Sequence, residues 1–178
     1  LSGIDKNTMY VTRFSFGPTS VPRWQRENFP QTGNDDFEFI RRNVAGIDAS
    51  AFAIFGSGQT IRYKDRTLEN INTTPVSNEI YEIDNLKIDK GRFYNETESN
   101  TGASVVVLGF NLAKNLFENE EPVGKVVRIY GRKLTVVGVL GKYGGLNMDS
   151  PDEKAFVPAN FARGFMNTGS NGALTMII

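Results

Sequence analysis

Alternating hydrophobic and polar residues recur along this chain, a pattern typical of β-strands that bury one face. The pattern predicts a first strand within Thr8–Phe16, extended regions over Ile47–Tyr63 and Thr67–Tyr81, and a last strand at Ala173–Ile178. The run Ser104–Leu108 is almost entirely apolar and predicts a buried strand. We therefore expect a protein rich in strands.

Three segments have the spacing of amphipathic helices instead: Asp35–Gly46, Phe110–Phe117 and Pro158–Met166. In the first, Asp35 and Asp36 suit the positive end of the helix dipole, and Gly46 suits its end. We interpret this aspartate pair as a helix start rather than a catalytic pair. Pro158 is predicted at the beginning of the third helix, where proline is tolerated.

The stretch PVGKVVRIYGRKLTVVGVL predicts a β-hairpin over Lys125–Leu140, with Gly131 at the first corner position of a type II′ turn. The apolar residues of its second strand are predicted on both faces: Leu134, Val136 and Leu140 on one, Val137 and Val139 on the other. Such a strand is buried on both sides. Upstream, the polar segment Asn95–Gly102 is predicted to be a loop.

The order of these elements is β-α-β-β, then a strand, a helix and a hairpin, then α-β. Regular βαβ alternation is missing, so the predicted fold class is α+β rather than a doubly wound sheet. The last helix and strand are predicted to return to the sheet begun by the first strand. The prediction is a split α/β subdomain (1–84 and 159–178) with an inserted, mixed β-rich subdomain (85–158).

Charge and composition exclude several classes of function. Lys+Arg and Asp+Glu both total 20, and a chain without a basic excess is a poor nucleic-acid binder. The chain also contains no cysteine and no histidine. A Ser-His-Asp triad, a Cys-His pair and a zinc site are therefore excluded in their usual forms. Among enzymes, only carboxylate or lysine chemistry remains.

Two carboxylate sets are the remaining candidates for chemistry: Glu118, Glu120 and Glu121, and Asp149, Asp152 and Glu153. The first is predicted to be a solvated loop. The second could ligate calcium, but its spacing does not match an EF-hand loop. The glycines at 56–58 and 141–145 match neither the dinucleotide nor the Walker pattern. We therefore predict no catalytic residue, no metal site and no cofactor.

The ends of the chain suggest a longer parent protein. The sequence starts at Leu1 without methionine and finishes in an apolar, strand-like segment. No run approaches the roughly 20 apolar residues needed to cross a bilayer. We expect the chain to be a segment whose parent could contain membrane spans.

Six short motifs in the middle of the chain occur in a fixed order: Gly91–Phe93, Val105–Gly109, Leu112–Phe117, Pro122–Lys125, Leu134–Leu140 and Asp152–Pro158. Each is weak alone, but their series resembles the periplasmic core domain of MacB-like ABC transporter permeases. The resemblance covers roughly residues 86–161. The shared residues have the character of architecture rather than chemistry.

The resemblance implies an extracytoplasmic (periplasmic) domain at the bacterial inner membrane, tethered by membrane helices outside this chain. The split α/β subdomain would then be the porter-like one. Members of the family couple ATP hydrolysis in the cytoplasm to movement of this domain, and they work as dimers. The implied partners are the cytoplasmic ATPase, a second permease copy and, in some members, a periplasmic adaptor and an outer-membrane channel, with no nucleic acid.

Two functions follow as hypotheses. The first is a non-catalytic domain that relays ATP-driven conformational change to envelope partners or substrate, in efflux or lipoprotein-type export. The alternative is a secreted ligand- or carbohydrate-binding module of a surface protein. For the first, the loop 142–151 is the predicted partner contact, through the exposed side chains of Tyr143, Leu146 and Met148.

Overall fold

The computed structural model describes residues 8–12, 22, 25, 33–54, 58–144, 150–166 and 172–177. In these residues the strands are β1 (Thr8–Thr12), β2 (Ala49–Ile54), β3 (Gly58–Tyr63), β4 (Arg66–Val76), β5 (Ile88–Gly91), β6 (Val105–Leu108), β7 (Val126–Ile129), β8 (Arg132–Leu140), β9 (Lys154–Pro158) and β10 (Gly172–Ile177). The helices are α1 (Asn34–Asn43), α2 (Ile80–Ile83), α3 (Glu96–Thr101), α4 (Phe110–Phe117) and α5 (Ala159–Arg163), and a 3₁₀ turn covers Pro151–Glu153. The α+β class is confirmed.

Six of these strands close into a ring. Around the ring the hydrogen-bonded neighbours are β4, β3, β7, β8, β6 and β9, and β9 pairs with β4 again. The β4–β9 and β6–β8 pairs are parallel, whereas the other four pairs are antiparallel. Closure leaves none of these strands with a continuous free edge, which is how barrels avoid edge-to-edge association.

The interior of the ring holds the largest hydrophobic cluster. Alternate residues of five ring strands point inward: Ile61, Tyr63, Val106, Leu108, Val127, Ile129, Leu134, Val136, Ala155 and Val157. Helix α4 adds Leu112, Ala113, Leu116 and Phe117 to the same cluster. The Phe117 ring lies 4.4 Å from that of Tyr63, between centroids. The inward-facing side chains of the strands therefore fill a closed interior, and α4 packs into the same interior.

A second cluster lies outside the ring, against β5, α2 and the segment that precedes α3. It contains Ala51, Val76, Ile80, Leu86, Phe93, Tyr94, Val107, Leu140 and Phe156. The buried Tyr94 hydroxyl donates to the backbone carbonyl of Val76 at 2.8 Å. Val106 and Leu108 face the ring interior while Val107 faces this outer cluster, so the predicted burial of this strand is confirmed.

Strands β1, β10 and β2 form a sheet extension beside the ring, which we call the terminal sheet. It joins the ring where Ala53 of β2 lies opposite Val76 of β4. Its core is formed with α1 and α5 and includes, among the described side chains, Phe37, Phe52, Ile54, Ala159 and Ala162. In the β1–β10 pair Thr8 lies opposite Ile177, so the first and last described strands meet at one place, as predicted.

The start of α1 agrees with the interpretation of its aspartates. The Asp36 carboxylate accepts a 2.8 Å hydrogen bond from the backbone N–H of Gly33, just before the helix. The helix ends earlier than predicted, because Val44 already has an extended backbone with φ of −102°. Gly46 follows with a φ of +84° and therefore shapes the connection to β2 rather than the helix end.

The predicted loop at Asn95–Gly102 was wrong, because six of these residues form α3. The Asn95 side chain accepts from the backbone N–H of Glu98, and the Glu98 carboxylate accepts from that of Asn95, both at 2.9 Å. This reciprocal pair is a capping box, and Gly102 ends the helix in the left-handed conformation. Because this segment is polar, apolar spacing did not predict the helix, although the capping box and Gly102 mark its two ends.

The hairpin is confirmed, but its corner and its second strand differ from the prediction. Tyr130 and Gly131 have positive φ values of 54° and 71°, so they form the corner, in a type I′ turn rather than II′. The β6–β8 register shifts between Val136 and Gly138. This bulge places Val139 in the ring interior and Leu140 in the outer cluster, the reverse of simple alternation.

The division into residues 1–84 with 159–178 and residues 85–158 stays a prediction. Strands β3 and β4 come from the first segment, yet they pair with β7 and β9 of the inserted segment. One continuous sheet therefore runs across both proposed boundaries.

Candidate partner-binding surfaces

Tyr143 is the one residue of the predicted partner contact that lies within the described residues. Its side chain is 38% exposed. Its hydroxyl accepts from the backbone N–H of Lys87 and donates to the carbonyl of Asn85 at 3.2 Å. Leu146 and Met148 lie outside the described residues. The ring of Tyr143 is thus held on the surface at a fixed place.

A buried carboxylate fixes the backbone of the same loop. Asp152 is 1% exposed and accepts hydrogen bonds from the backbone N–H groups of Tyr143 and Gly144, at 2.9 and 3.0 Å. A buried carboxylate is tolerated when such donors replace water. Asp152 is therefore a structural anchor. Because its oxygens already accept from the backbone, they suit the calcium hypothesis poorly.

The surface around Tyr143 is aromatic and acidic. Tyr81, which is 37% exposed, stacks on the buried ring of Phe93 with 5.4 Å between centroids. Burial raises the pKa of Tyr143, and the nearby carboxylates of Asp84 and Asp152 raise it further. The hydroxyl is therefore neutral at physiological pH and can donate to Asn85 as described.

The three glutamates after α4 link this segment to other parts of the structure. Each forms a salt bridge with a cation from another element: Glu118 with Arg66 at 2.8 Å, Glu120 with Lys64 at 2.8 Å and Glu121 with Lys90 at 2.9 Å. The Lys64 ammonium, with the Tyr63 hydroxyl, holds the pKa of Glu120 below its ordinary value. Among the described residues, no three carboxylates converge on a metal-sized site.

A further surface lies on the outer face of β3, β7 and β8, and the sequence analysis missed it. Arg62 lies opposite Arg128, and Arg128 lies opposite Lys133, so three exposed cations stand in one row. They line an open groove of about 540 Å³ together with Lys64, Val126 and Val127. We call this surface the basic groove.

Comparison with known proteins identifies the family. A model of the family described as MacB-like periplasmic core domain matches residues 2–178, nearly the whole chain. The chain belongs to this family. It is thus an extracytoplasmic (periplasmic) domain of an ABC transporter permease rather than a catalytic domain. The resemblance inferred from the six motifs is confirmed.

A curated relative supports the same assignment. The macrolide export ATP-binding/permease protein MacB of Neisseria gonorrhoeae is 32% identical over 122 residues, which cover 68% of this chain and 17% of the relative. The aligned part thus spans about a sixth of that relative's length. No helix among the described residues is long and apolar enough to cross a membrane.

Solved structures show the same fold. The periplasmic region of MacB from Actinobacillus actinomycetemcomitans matches with a TM-score of 0.78 at 22% identity, covering 97% of this chain and 75% of that one. The extracellular domain of the transporter YknZ from Gram-positive bacteria matches with a TM-score of 0.68 at 19% identity, covering 83% and 72%. At these identities the likeness concerns the fold alone.

Proposed function

We propose that this chain is a non-catalytic relay. It carries the conformational change driven by ATP hydrolysis in the cytoplasm to envelope partners or to substrate, in efflux or lipoprotein-type export. The MacB relative is named a macrolide export ATP-binding/permease protein, which supports ATP-driven export. In this proposal the cytoplasmic ATPase belongs to the same transporter, as a separate domain or subunit, and carries the chemistry.

The observation that carries the proposal is the placement of β4. Its end at Val76 meets the terminal sheet through Ala53, and its earlier residues pair with β3 of the ring. Val76 follows Thr67 by nine residues, which span less than about 30 Å because Asn70, with a φ of +56°, interrupts the extended conformation. A movement imposed at the terminal sheet therefore has a continuous hydrogen-bonded path into the ring.

The packing of the ring supports transmission without deformation. Its interior side chains are almost fully buried, and Val106, Leu108, Leu116 and Val136 have no exposed surface. Close-packed interiors have low compressibility and transmit strain rather than absorb it. A force applied through β4 would then move the ring as one body.

The proposal also names the expected partners of this domain. Membrane spans outside this chain would adjoin β1 and β10, whose residues Thr8 and Ile177 lie side by side. A second permease copy would form the working dimer, with a periplasmic adaptor and an outer-membrane channel as further partners. The loop that begins at Tyr143 is the proposed contact with one of these partners.

A disulfide across the joint tests the relay. Ala53 and Val76 are directly opposite in an antiparallel pair, where Cα atoms lie about 4.5–5.5 Å apart, within disulfide range. In the full-length permease carrying Ala53→Cys and Val76→Cys, oxidation should leave export and ATP hydrolysis within about twofold of the reduced enzyme. The single Ala53→Cys variant is the control. Export that fails on oxidation and returns with reductant would show that this joint must move.

Charge substitution in the loop tests the partner contact. Tyr143→Asp in the full-length permease should lower export by about tenfold while ATP hydrolysis continues. Val44→Asp is a matched control, because Val44 is 47% exposed and lies beyond α1, on the terminal sheet side. Unchanged export in the Tyr143 variant, or an equal loss in both variants, would remove this loop from the mechanism.

A further inference from the structure

Three of the four cations that line the basic groove, Arg62, Arg128 and Lys133, stand in one row on the outer side of the ring wall. Their sequence neighbours Ile61, Val127 and Leu134 point into the ring interior, so Arg62, Arg128 and Lys133 project outward. Residues directly opposite on paired strands bring their side chains into close range, and like charges there are destabilising. The row therefore opposes folding.

Neighbouring cations are neutralised, and this row is not. Lys64, Arg66, Lys90 and Arg92 each form a salt bridge with a glutamate. Across the part of the chain that the structure describes, Arg62, Arg128 and Lys133 form none. Among the described residues, Arg62 donates to the backbone carbonyl of Lys64 and Arg128 to that of Gly131, both at 3.2 Å. The chain has equal numbers of acidic and basic residues, so the positive charge of this row is local to the groove and does not reflect the composition of the whole chain.

The groove combines this charge with an apolar floor. Val126 is 50% exposed at the base of the open volume of about 540 Å³. Adjacent strands lie about 4.8 Å apart, which sets the spacing between the backbones of neighbouring cations. The Cβ atoms of residues one turn apart on a helix lie about 5–6 Å apart, a similar spacing. A segment with paired acidic residues around one apolar side chain would match both the charges and the floor.

We propose that the basic groove docks an acidic segment of a partner protein, with its carboxylates on Arg62, Arg128 and Lys133 and an apolar side chain on Val126. The position of the groove relative to the membrane rests on the proposed relay function. The groove borders Thr67 of β4, which lies opposite Arg62, whereas the terminal sheet joins the other end of β4 at Val76. Membrane spans adjoining β1 and β10 would thus lie toward the opposite end of β4 from the groove, which favours a protein partner over lipid headgroups.

A binding measurement on the 178-residue chain tests the proposal. The probe is a fluorescein-labelled helical peptide with glutamate pairs one turn apart around a leucine, followed by anisotropy at low and physiological salt. The groove variant combines Arg62→Gln, Arg128→Gln and Lys133→Gln. The control combines Arg42→Gln, Lys87→Gln and Lys114→Gln, which removes the same charge from exposed positions elsewhere. Circular dichroism melting checks that both variants fold.

The groove variant should bind the peptide at least about tenfold more weakly than the unmodified chain, and the control within about twofold. Added salt should weaken binding of the unmodified chain. Vesicles containing phosphatidylglycerol should not bind. No peptide binding by the unmodified chain, equal weakening in both variants, groove-dependent vesicle binding, or groove-dependent self-association would each overturn the proposal. The assay contains neither ATPase nor membrane, so failure of the relay would appear in the Ala53–Val76 disulfide experiment instead.

Discussion

The ring and the terminal sheet belong to one continuous sheet, but they bury their hydrophobic residues differently. The ring surrounds its core on all sides, and 16 buried residues of the described part of the chain fill it, four of them from α4. The terminal sheet is open, and the described part of its core lies between the sheet and helices α1 and α5. A closed wall cannot collapse onto a missing side chain, whereas a helix lying on an open sheet can shift. Stiffness is therefore concentrated in the ring.

Core truncation gives the largest expected contrast. Leu134 of β8 is 1% exposed in the ring interior, and Leu134→Ala should lower the free energy of unfolding by about 4 kcal/mol. Ile54, 2% exposed in the terminal sheet, should lose about 2 kcal/mol in Ile54→Ala, because α1 can relax toward the cavity. Urea denaturation of both variants measures the difference. Equal losses would mean that the ring is no stiffer than the terminal sheet.

Added methyl groups test the same difference in stiffness between the ring and the terminal sheet. A Cβ at Gly138 of β8 would meet the backbone carbonyl of Arg92, so Gly138→Ala should cost about 3 kcal/mol of unfolding free energy. Gly164, after α5, has a helical φ of −64°, and its Cβ would meet only the Phe161 carbonyl at 3.4 Å. Gly164→Ala should be neutral or stabilise by about 0.5 kcal/mol. A tolerated Gly138→Ala would show that the wall of the ring can yield.

Two carboxylates that accept backbone hydrogen bonds form the next pair. Asp152 is buried and serves two N–H groups beside the ring, so Asp152→Ala should cost about 2 kcal/mol in denaturation experiments. Asp36 is exposed and serves one N–H group at the start of α1, and Asp36→Ala should cost about 0.5–1 kcal/mol. A larger loss at Asp36 would reverse the assignment of Asp152 as an anchor.

The smallest effect is a pH dependence at α3. The Arg92 guanidinium, which donates to Glu98 at 2.8 Å, holds the pKa of that carboxyl below its ordinary value. The unfolded chain then binds this proton more readily than the folded one. The stabilisation is therefore complete above the ordinary glutamate pKa and is lost as pH falls through the lower folded-state value.

Glu98→Gln should accordingly cost about 1 kcal/mol at neutral pH, where the charge-assisted bonds are present. Its difference from the unmodified protein should shrink in acid. Glu38→Gln, which removes an exposed ion pair with Arg42 on α1, should change stability by less than about 0.5 kcal/mol at any pH. Unfolding titrations of the two variants between neutral and acid pH provide the measurement. A Glu98→Gln deficit that persists unchanged in acid would contradict this reading.

Local patterns predicted the elements with strong periodicity. Strand β6, helix α4 and the β7–β8 hairpin follow directly from apolar spacing, and motif order identified the family. Closure of the ring was not predictable in this way. The parallel pairing of Asn72 with Lys154 joins residues far apart in sequence, and no local signal specifies such a partner. The bulge near Gly138 also depends on the close approach of Arg92.

The candidate surfaces were predictable to different degrees. Exposure of Tyr143 was predicted from sequence, but its anchoring by Asp152 depends on the folded loop. Within the hairpin, alternation already places Arg128 and Lys133 on the outer face. Their alignment with Arg62 required the β3–β7 pairing, which exists only because the ring closes. The basic groove therefore emerges from topology rather than from a motif.

We expect the ring and the terminal sheet to move as one body when the transporter changes state. This chain contains no cysteine, and in a permease whose cysteines outside this chain are replaced, Arg42→Cys on α1 and Lys133→Cys on β8 place two spin labels on exposed positions of the two regions. The distance between them is measured by pulsed electron resonance in the full-length permease, diluted with unlabelled copies, with and without bound nucleotide. If the two regions form one rigid body, the distance distribution will be the same in both states. A nucleotide-dependent change of the mean distance, larger than the width of the distribution, would contradict it.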